Sequence, residues 1–75
     1  MKSEIDLYII NKVREKRLEI RLSQANLAFE LEVSISFIGK IESIKYNTHF
    51  NIKHINKLAK IFECSPKDFF PEKPL

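Results

Sequence analysis

The stretch SISFIGKIE, residues 34–42, has helical spacing and an unusual outward face. That face carries an apolar side chain, a hydroxyl, a backbone without a side chain and an ammonium group. They belong to Ile35, Ser36, Gly39 and Lys40. A glycine inside a helix costs about 1 kcal/mol relative to alanine. These groups are suited to non-covalent recognition, so we expect a partner to approach this face closely.

Residue patterns typical of catalysis or metal binding are lacking in the sequence. His49 and His54 have no nearby cysteine or clustered acids, so we expect no metal site. There is no glycine-rich phosphate loop, and no serine stands at a recognisable spacing from a histidine and an acid. We therefore expect a binding module without cofactors, not an enzyme.

Length and charge favour the same interpretation. The chain has 75 residues and a net charge of +3, which predicts one domain (1–75) and is compatible with a polyanionic partner. Residues 23–50 carry only two basic and three acidic side chains. Contacts with nucleic acid there would depend on backbone amides, hydroxyls and a few lysines.

The single cysteine, Cys64, excludes an intramolecular disulfide. We interpret it as a small, half-buried hydrophobe, with a redox or intermolecular role as the alternative. The sequence has no secretory signal and no run of about 20 apolar residues. We therefore expect a cytoplasmic protein without a membrane partner.

Helical spacing dominates the chain, and five helices are predicted. The first starts near Ser3, where SEID has the capping-box pattern, and ends near Leu18 or Glu19. Its predicted inward residues are Ile5, Tyr8, Ile9 and Val13. The second, SQANLAFEL, is capped by Ser23 and presents Leu27, Ala28 and Leu31 on one face.

The third helix follows after only three residues, EVS, and is capped by Ser34. This spacing is that of a helix-turn-helix unit over about residues 23–43. Asn51 caps the fourth helix, whose buried face is Ile55, Leu58, Ala59 and Phe62. SPKDFF predicts a short last helix, and residues 71–75 a flexible tail.

Residues 22–42, LSQANLAFELEVSISFIGKIE, resemble the phage-repressor-like (Cro/C1-type, XRE-family) helix-turn-helix DNA-binding domain. The resemblance extends over about residues 13–70, through KVREKRLEI and INKLAKIFECSPKDFF. It implies an all-α, five-helix, lambda-repressor-like fold. It also implies sequence-specific binding of double-stranded DNA by a small transcriptional repressor or controller.

In such a unit the N-terminal part of its second helix, here the third predicted helix of the chain, meets base edges in the major groove. The resemblance therefore implies base contacts by Ile35, Ser36 and Lys40. Ile35 suits a thymine methyl, Ser36 either base type, and Lys40 guanine O6 and N7. The alternatives are that Ile35 packs on a neighbouring loop and that Lys40 is an ordinary solvated lysine.

Backbone contacts are implied at the ends of the two helices. Gln24 occupies the position at which the family clamps a phosphate. The predicted set of backbone contacts is Ser23, Gln24, Phe37, Gly39, Lys45, Tyr46 and Asn47. Ser23 is also a cap, and Phe37 has partial burial in the core as its alternative. Arg17 and Glu42 match the structural salt bridge of the family.

Two residues depart from the family pattern. Glu32 stands in the turn where glycine is usual, and it adds a negative charge near the expected groove. Ile44 replaces a second glycine, in a loop about two residues longer than usual.

The resemblance implies a homodimer, and we expect Phe62, Phe69, Phe70 and Leu75 at its surface. The rival interpretation is a protein-interaction module, such as an antitoxin or docking partner, in which Phe29 is an exposed anchor. A restriction–modification controller would share the fold and the binding of DNA.

Overall fold

The computed structural model describes all 75 residues, and it contains helices but no strands. The four α-helices are α1 (Glu4–Glu19), α2 (Gln24–Leu31), α3 (Ile35–Glu42) and α4 (Ile52–Ile61). The all-α prediction is confirmed. The short last helix predicted at SPKDFF is a 3-10 helix of four residues, Pro66–Phe69, so a count of five α-helices is not confirmed.

Side-chain caps begin every element at the predicted residue. The hydroxyl groups of Ser3, Ser23, Ser34 and Ser65 and the amide oxygen of Asn51 accept backbone N–H groups of the first turn. The predicted capping boxes form at Ser3 and Ser65. A third box, between Asn51 and His54, was not predicted. Local chemistry therefore sets where the helices start.

Three helices end at a residue in the left-handed conformation, and none of these residues is glycine. They are Arg21 (φ 56°), Glu32 (φ 62°) and Glu63 (φ 54°). The next N–H group donates five residues back in each case, as in a Schellman motif: Leu22 to Arg17, Val33 to Ala28 and Cys64 to Ala59. The three donor residues, Leu22, Val33 and Cys64, pack against the core, and this packing holds the left-handed conformation before them in place.

One core of 12 residues joins all the elements. The predicted buried residues of α2, and Ile55, Leu58 and Ala59 of α4, are confirmed. The predicted stripe of α1 is wrong in part, since Ile5 is 37% exposed. Val13 is buried as predicted, and Ile10 and Arg17 join it on the buried face. Because this face includes the buried Arg17, a pattern based on apolar residues alone misplaced the buried face of α1.

The chain from Pro71 to Leu75 forms no regular secondary structure. The longest helix has 16 residues, and none is apolar and long enough to cross a membrane.

Candidate nucleic-acid interface

The turn between α2 and α3, residues 32–34, fixes which side of α3 faces out. Leu27 of α2 and Ile38 of α3 are fully buried, and Ile41 is 1% exposed. The two helices pack closely on each other. Because α3 is held along this side, its opposite side presents a rigid surface to solvent.

The outward surface of α3 contains the predicted base contacts. Ile35 is 57% exposed, and Ser36 and Lys40 are exposed. A Cβ atom built on Gly39 would have no neighbour within 4 Å. Internal packing therefore gives no reason for glycine at this position. The structure brings these four residues together on one face.

The loop after α3 adjoins this face. Lys45, Tyr46 and Asn47 are all exposed, as their predicted role requires. Lys40 Nζ lies 5.5 Å from the centroid of the Tyr46 ring, within the range of a cation–π contact. The predicted base-contacting and loop residues therefore form one continuous surface.

Phe37 does not belong to that surface. Its ring packs against the core, and its centroid lies 5.1 Å from that of His54. Its backbone N–H donates to the Ser34 hydroxyl. This packing of α3 onto α4 supports the alternative given for Phe37, partial burial in the core, and its contact with the DNA backbone stays a prediction.

Glu42 and Arg17 form a two-pronged ion pair between α3 and α1. Arg17 Nε donates to Glu42 Oε2 at 3.2 Å, and Nη2 donates to Oε1 at 3.1 Å. Arg17 Nη1 donates to the carbonyl of Leu22 at 2.9 Å. Both charged side chains are at most 10% exposed. The pair therefore ties the end of α3 to the end of α1.

Gln24 is already engaged by the same carboxylate. Its Nε2 donates to Glu42 Oε1 at 2.9 Å, which sequence reasoning did not anticipate. One N–H of the amide is used in this way, and the second N–H and the carbonyl oxygen remain without a protein partner. Gln24 therefore reaches a phosphate only with the groups that Glu42 leaves free.

Arg14 lies beside Glu42 and was not singled out by the sequence analysis. Its Nε lies 3.9 Å from Glu42 Oε1, and its side chain is 59% exposed. It stands three residues before Arg17 on α1, so helical spacing could have placed both arginines on one face. Arg14 thus brings an exposed positive charge next to Gln24.

The negative charge that Glu32 was expected to bring near the groove is paired. Lys57 Nζ of α4 lies 2.8 Å from Glu32 Oε1. The hydrogen bond from Lys57 and its positive charge lower the pKa of Glu32 below its usual value of 4.5. The turn thus contributes less negative potential than the sequence predicted.

His54 lies behind α3 as a part-buried imidazole. Its Nδ1 accepts the backbone N–H of Asn51 at 3.1 Å, so the neutral ring completes the start of α4. Burial lowers the pKa of His54 below its usual value of 6.5. No group of three or more His, Cys, Asp or Glu side chains is arranged to hold a metal ion.

The Helix-turn-helix family model matches residues 13–69, which include α2, α3 and α4. The chain belongs to the Cro/C1-type helix-turn-helix family. This is a family of DNA-binding regulators. No curated protein and no solved structure matches the chain significantly.

The four residues predicted at the dimer surface differ in their exposure to solvent. Phe70 is 42% exposed and Leu75 is 62% exposed, whereas Phe62 packs partly against the core. Phe69 is 0% exposed and belongs to the core. The prediction that Phe69 contacts a partner is therefore wrong, because the 3-10 turn directs it inward and Phe70 outward.

Proposed function

We propose that this helix-turn-helix protein binds double-stranded DNA sequence-specifically as a small transcriptional regulator, a repressor or controller, with α3 in the major groove. One observation carries the proposal. Ile35, Ser36 and Lys40 on the outward face of α3 are exposed to solvent, whereas Ile38 and Ile41 on the opposite side are buried. A rigid helix with such a free face fits the width of the major groove.

Ile35, Ser36 and Lys40 contact base edges in this proposal. Ile35 rests on a thymine methyl, Ser36 exchanges hydrogen bonds with a base, and Lys40 donates to guanine O6 or N7. Tyr46 holds the Lys40 ammonium beside the groove. The absence of a side chain at Gly39 lets the DNA come close.

Phosphates are held on both sides of α3 in this proposal. Gln24 and the cap Ser23 act on one side, and Lys45, Tyr46 and Asn47 act on the other. We add Arg14 to this set. All three donor groups of Arg17 have protein partners, so the excess positive charge beside Glu42 is on the exposed Arg14. A DNA phosphate would compensate it.

The test is a titration of labelled duplex with the protein at several salt concentrations. Binding should weaken with salt at a slope near −0.9 per phosphate neutralised. Lys40→Met should lose preference among bases, whereas Gln24→Ala should weaken all sequences about equally. If both variants bind every duplex like the parent, the assigned site is wrong.

A protein-interaction module is the second candidate, and Phe29 is the observation that favours it. This aromatic side chain on α2 is 82% exposed. Large exposed aromatics are typical anchors of protein interfaces. Binding to duplexes that depends neither on sequence nor on salt would favour this candidate over DNA recognition.

A further inference from the structure

The C-terminal end of α3 is contacted by Lys2, from the N-terminal end of the chain. Lys2 Nζ donates to the backbone carbonyl of Lys40 at 3.2 Å and to that of Ser43. The last carbonyl groups of a helix lack helical partners and carry a partial negative charge. The Lys40 carbonyl also accepts the backbone N–H of Ser43, so Lys2 adds a second, charged donor there. To the Ser43 carbonyl it supplies a donor, and its positive charge opposes the partial negative charge of the helix end.

Neighbouring residues fix Lys2 in this position. The capping box between Ser3 and Asp6 sets the start of α1 directly after Lys2. Lys2 also lines a shallow groove with Met1, Leu7 and Ile44. Ile44, which departs from the family pattern, therefore lies beside the first turns of α1. The Lys2 side chain is itself half-buried, so it is not a freely moving surface lysine.

We propose that Lys2 is a positioning residue for DNA recognition, which holds the last turn of α3 without touching DNA. This inference rests on the proposed role of α3. The carbonyl that Lys2 holds belongs to Lys40, the residue whose side chain is assigned to guanine. Fixing this backbone sets the angle at which the Lys40 side chain leaves the helix.

Direct contact of Lys2 with a phosphate is the alternative role, and salt dependence separates the two. A lysine that neutralises a phosphate adds about 0.9 to the slope of log affinity against log salt. A lysine that only holds the helix adds nothing to that slope. Its loss would weaken binding by the same factor at every salt concentration.

The experiment compares Lys2→Met, Lys2→Arg and the parent protein. Lys73→Met is the matched control, because it removes the same charge from an exposed residue of the tail. We expect Lys2→Met to bind the selected duplex about tenfold more weakly with an unchanged salt slope. Lys2→Arg, which keeps charged donors, should restore most of the affinity, and Lys73→Met should bind like the parent.

Amide hydrogen exchange without DNA gives an independent measurement. The amides of residues 41–43 should exchange about tenfold faster in Lys2→Met and return towards the parent rate in Lys2→Arg. Unchanged exchange, or a salt slope smaller by about 0.9 in Lys2→Met, would overturn the positioning role. If the parent itself fails to bind DNA, the proposed function fails, while the exchange rates still test whether Lys2 holds α3.

Discussion

Glu42 is the single side chain that connects three parts of the helix-turn-helix domain. Its carboxylate accepts hydrogen bonds from Arg17 of α1 and from Gln24 at the start of α2, and it belongs to the last turn of α3. The nearly buried carboxylate is fully partnered, so it is a specific tie between these helices. Removing one partner would leave a charge in a poorly solvated position.

Two arginines on the same face of α1 should therefore behave differently. Arg17→Met should lower the free energy of unfolding by about 3 kcal/mol, because it strands the buried Glu42 charge. Arg14→Met should lower it by less than about 1 kcal/mol, since its pair with Glu42 is long and exposed. Urea unfolding of both variants measures the difference, and equal losses would contradict it.

The Arg14→Met variant also tests the proposed contact with DNA. Arg14→Met should reduce the salt slope of DNA binding by about 0.9, the value for one lost phosphate contact. A slope identical to that of the parent would exclude Arg14 from the interface.

His54 should make stability depend on pH. Burial lowers its pKa from 6.5, so the unfolded chain takes up the proton more readily than the folded protein. The stability that the folded protein has with His54 neutral is therefore complete above about pH 6.5, and it is lost as the pH falls through the lowered pKa. A protonated Nδ1 also loses its ability to accept the Asn51 N–H.

Unfolding measured between pH 7 and pH 5 tests this expectation. His54→Gln, which keeps a capping acceptor but does not titrate, should show a smaller decline in stability than the parent. His49→Gln is the matched control for replacing a histidine, because His49 is exposed in the loop before α4. The whole window lies above 4.5, the usual pKa of Glu32, which is lowered further in the folded protein. A full decline in His54→Gln would rule out His54 as the cause.

At the scale of the elements, sequence patterns predicted the features that depend on neighbouring residues, namely the helix starts and the buried faces. Each helix start carries a capping residue, and the buried faces of α2 and α4 follow a 3.6-residue period. Long-range polar contacts were not predictable in this way. The bonds from Gln24 to Glu42 and from Lys2 to Lys40 join residues 18 and 38 positions apart. No local pattern encodes such pairs, because they exist only after the helices pack.

Charged residues end three helices in the left-handed conformation, and the single glycine of the chain lies inside α3. Stability alone would favour glycine in the left-handed conformation at the helix ends and a residue with a side chain inside α3. Ala at position 39 should stabilise the free protein by up to about 1 kcal/mol, since its Cβ meets nothing within 4 Å. We therefore propose that the approach of DNA to this face explains the glycine.

Gly39→Ala should accordingly raise stability and weaken the binding of DNA. The added methyl group would meet the approaching DNA and cost about 1 kcal/mol or more of binding free energy. Thermal unfolding and duplex titration of the same preparation measure both effects. Unchanged or tighter binding would show that no close approach occurs at this residue.

The dimensions of the whole molecule suit a pair of copies on DNA. The domain measures 31 × 29 × 21 Å, and each copy has one exposed face of α3. Equivalent faces of two adjacent copies would lie about one molecular width apart. Successive major grooves on one side of DNA are about 34–36 Å apart. We therefore propose a homodimer, with Phe70, Leu75 and the half-buried Phe62 at its surface.

Sedimentation measurements test the proposed dimer. Phe70→Ser should shift the protein towards monomer and weaken the binding of a two-site duplex, because it removes an exposed aromatic from that surface. Phe29→Ser is the matched control, since Phe29 is 82% exposed on α2. Dissociation by Phe29→Ser alone would place the dimer surface on α2.

The face of α3 that meets the bases can be located directly by methylation interference on a selected duplex. N7 of guanine lies in the major groove, whereas N3 of adenine lies in the minor groove. Methylation at guanine N7 should block binding within each half-site, and methylation at adenine N3 there should not. In Lys40→Met, interference should disappear at one guanine per half-site. Interference confined to adenine N3, or a Lys40→Met pattern identical to that of the parent, would contradict recognition by this face of α3.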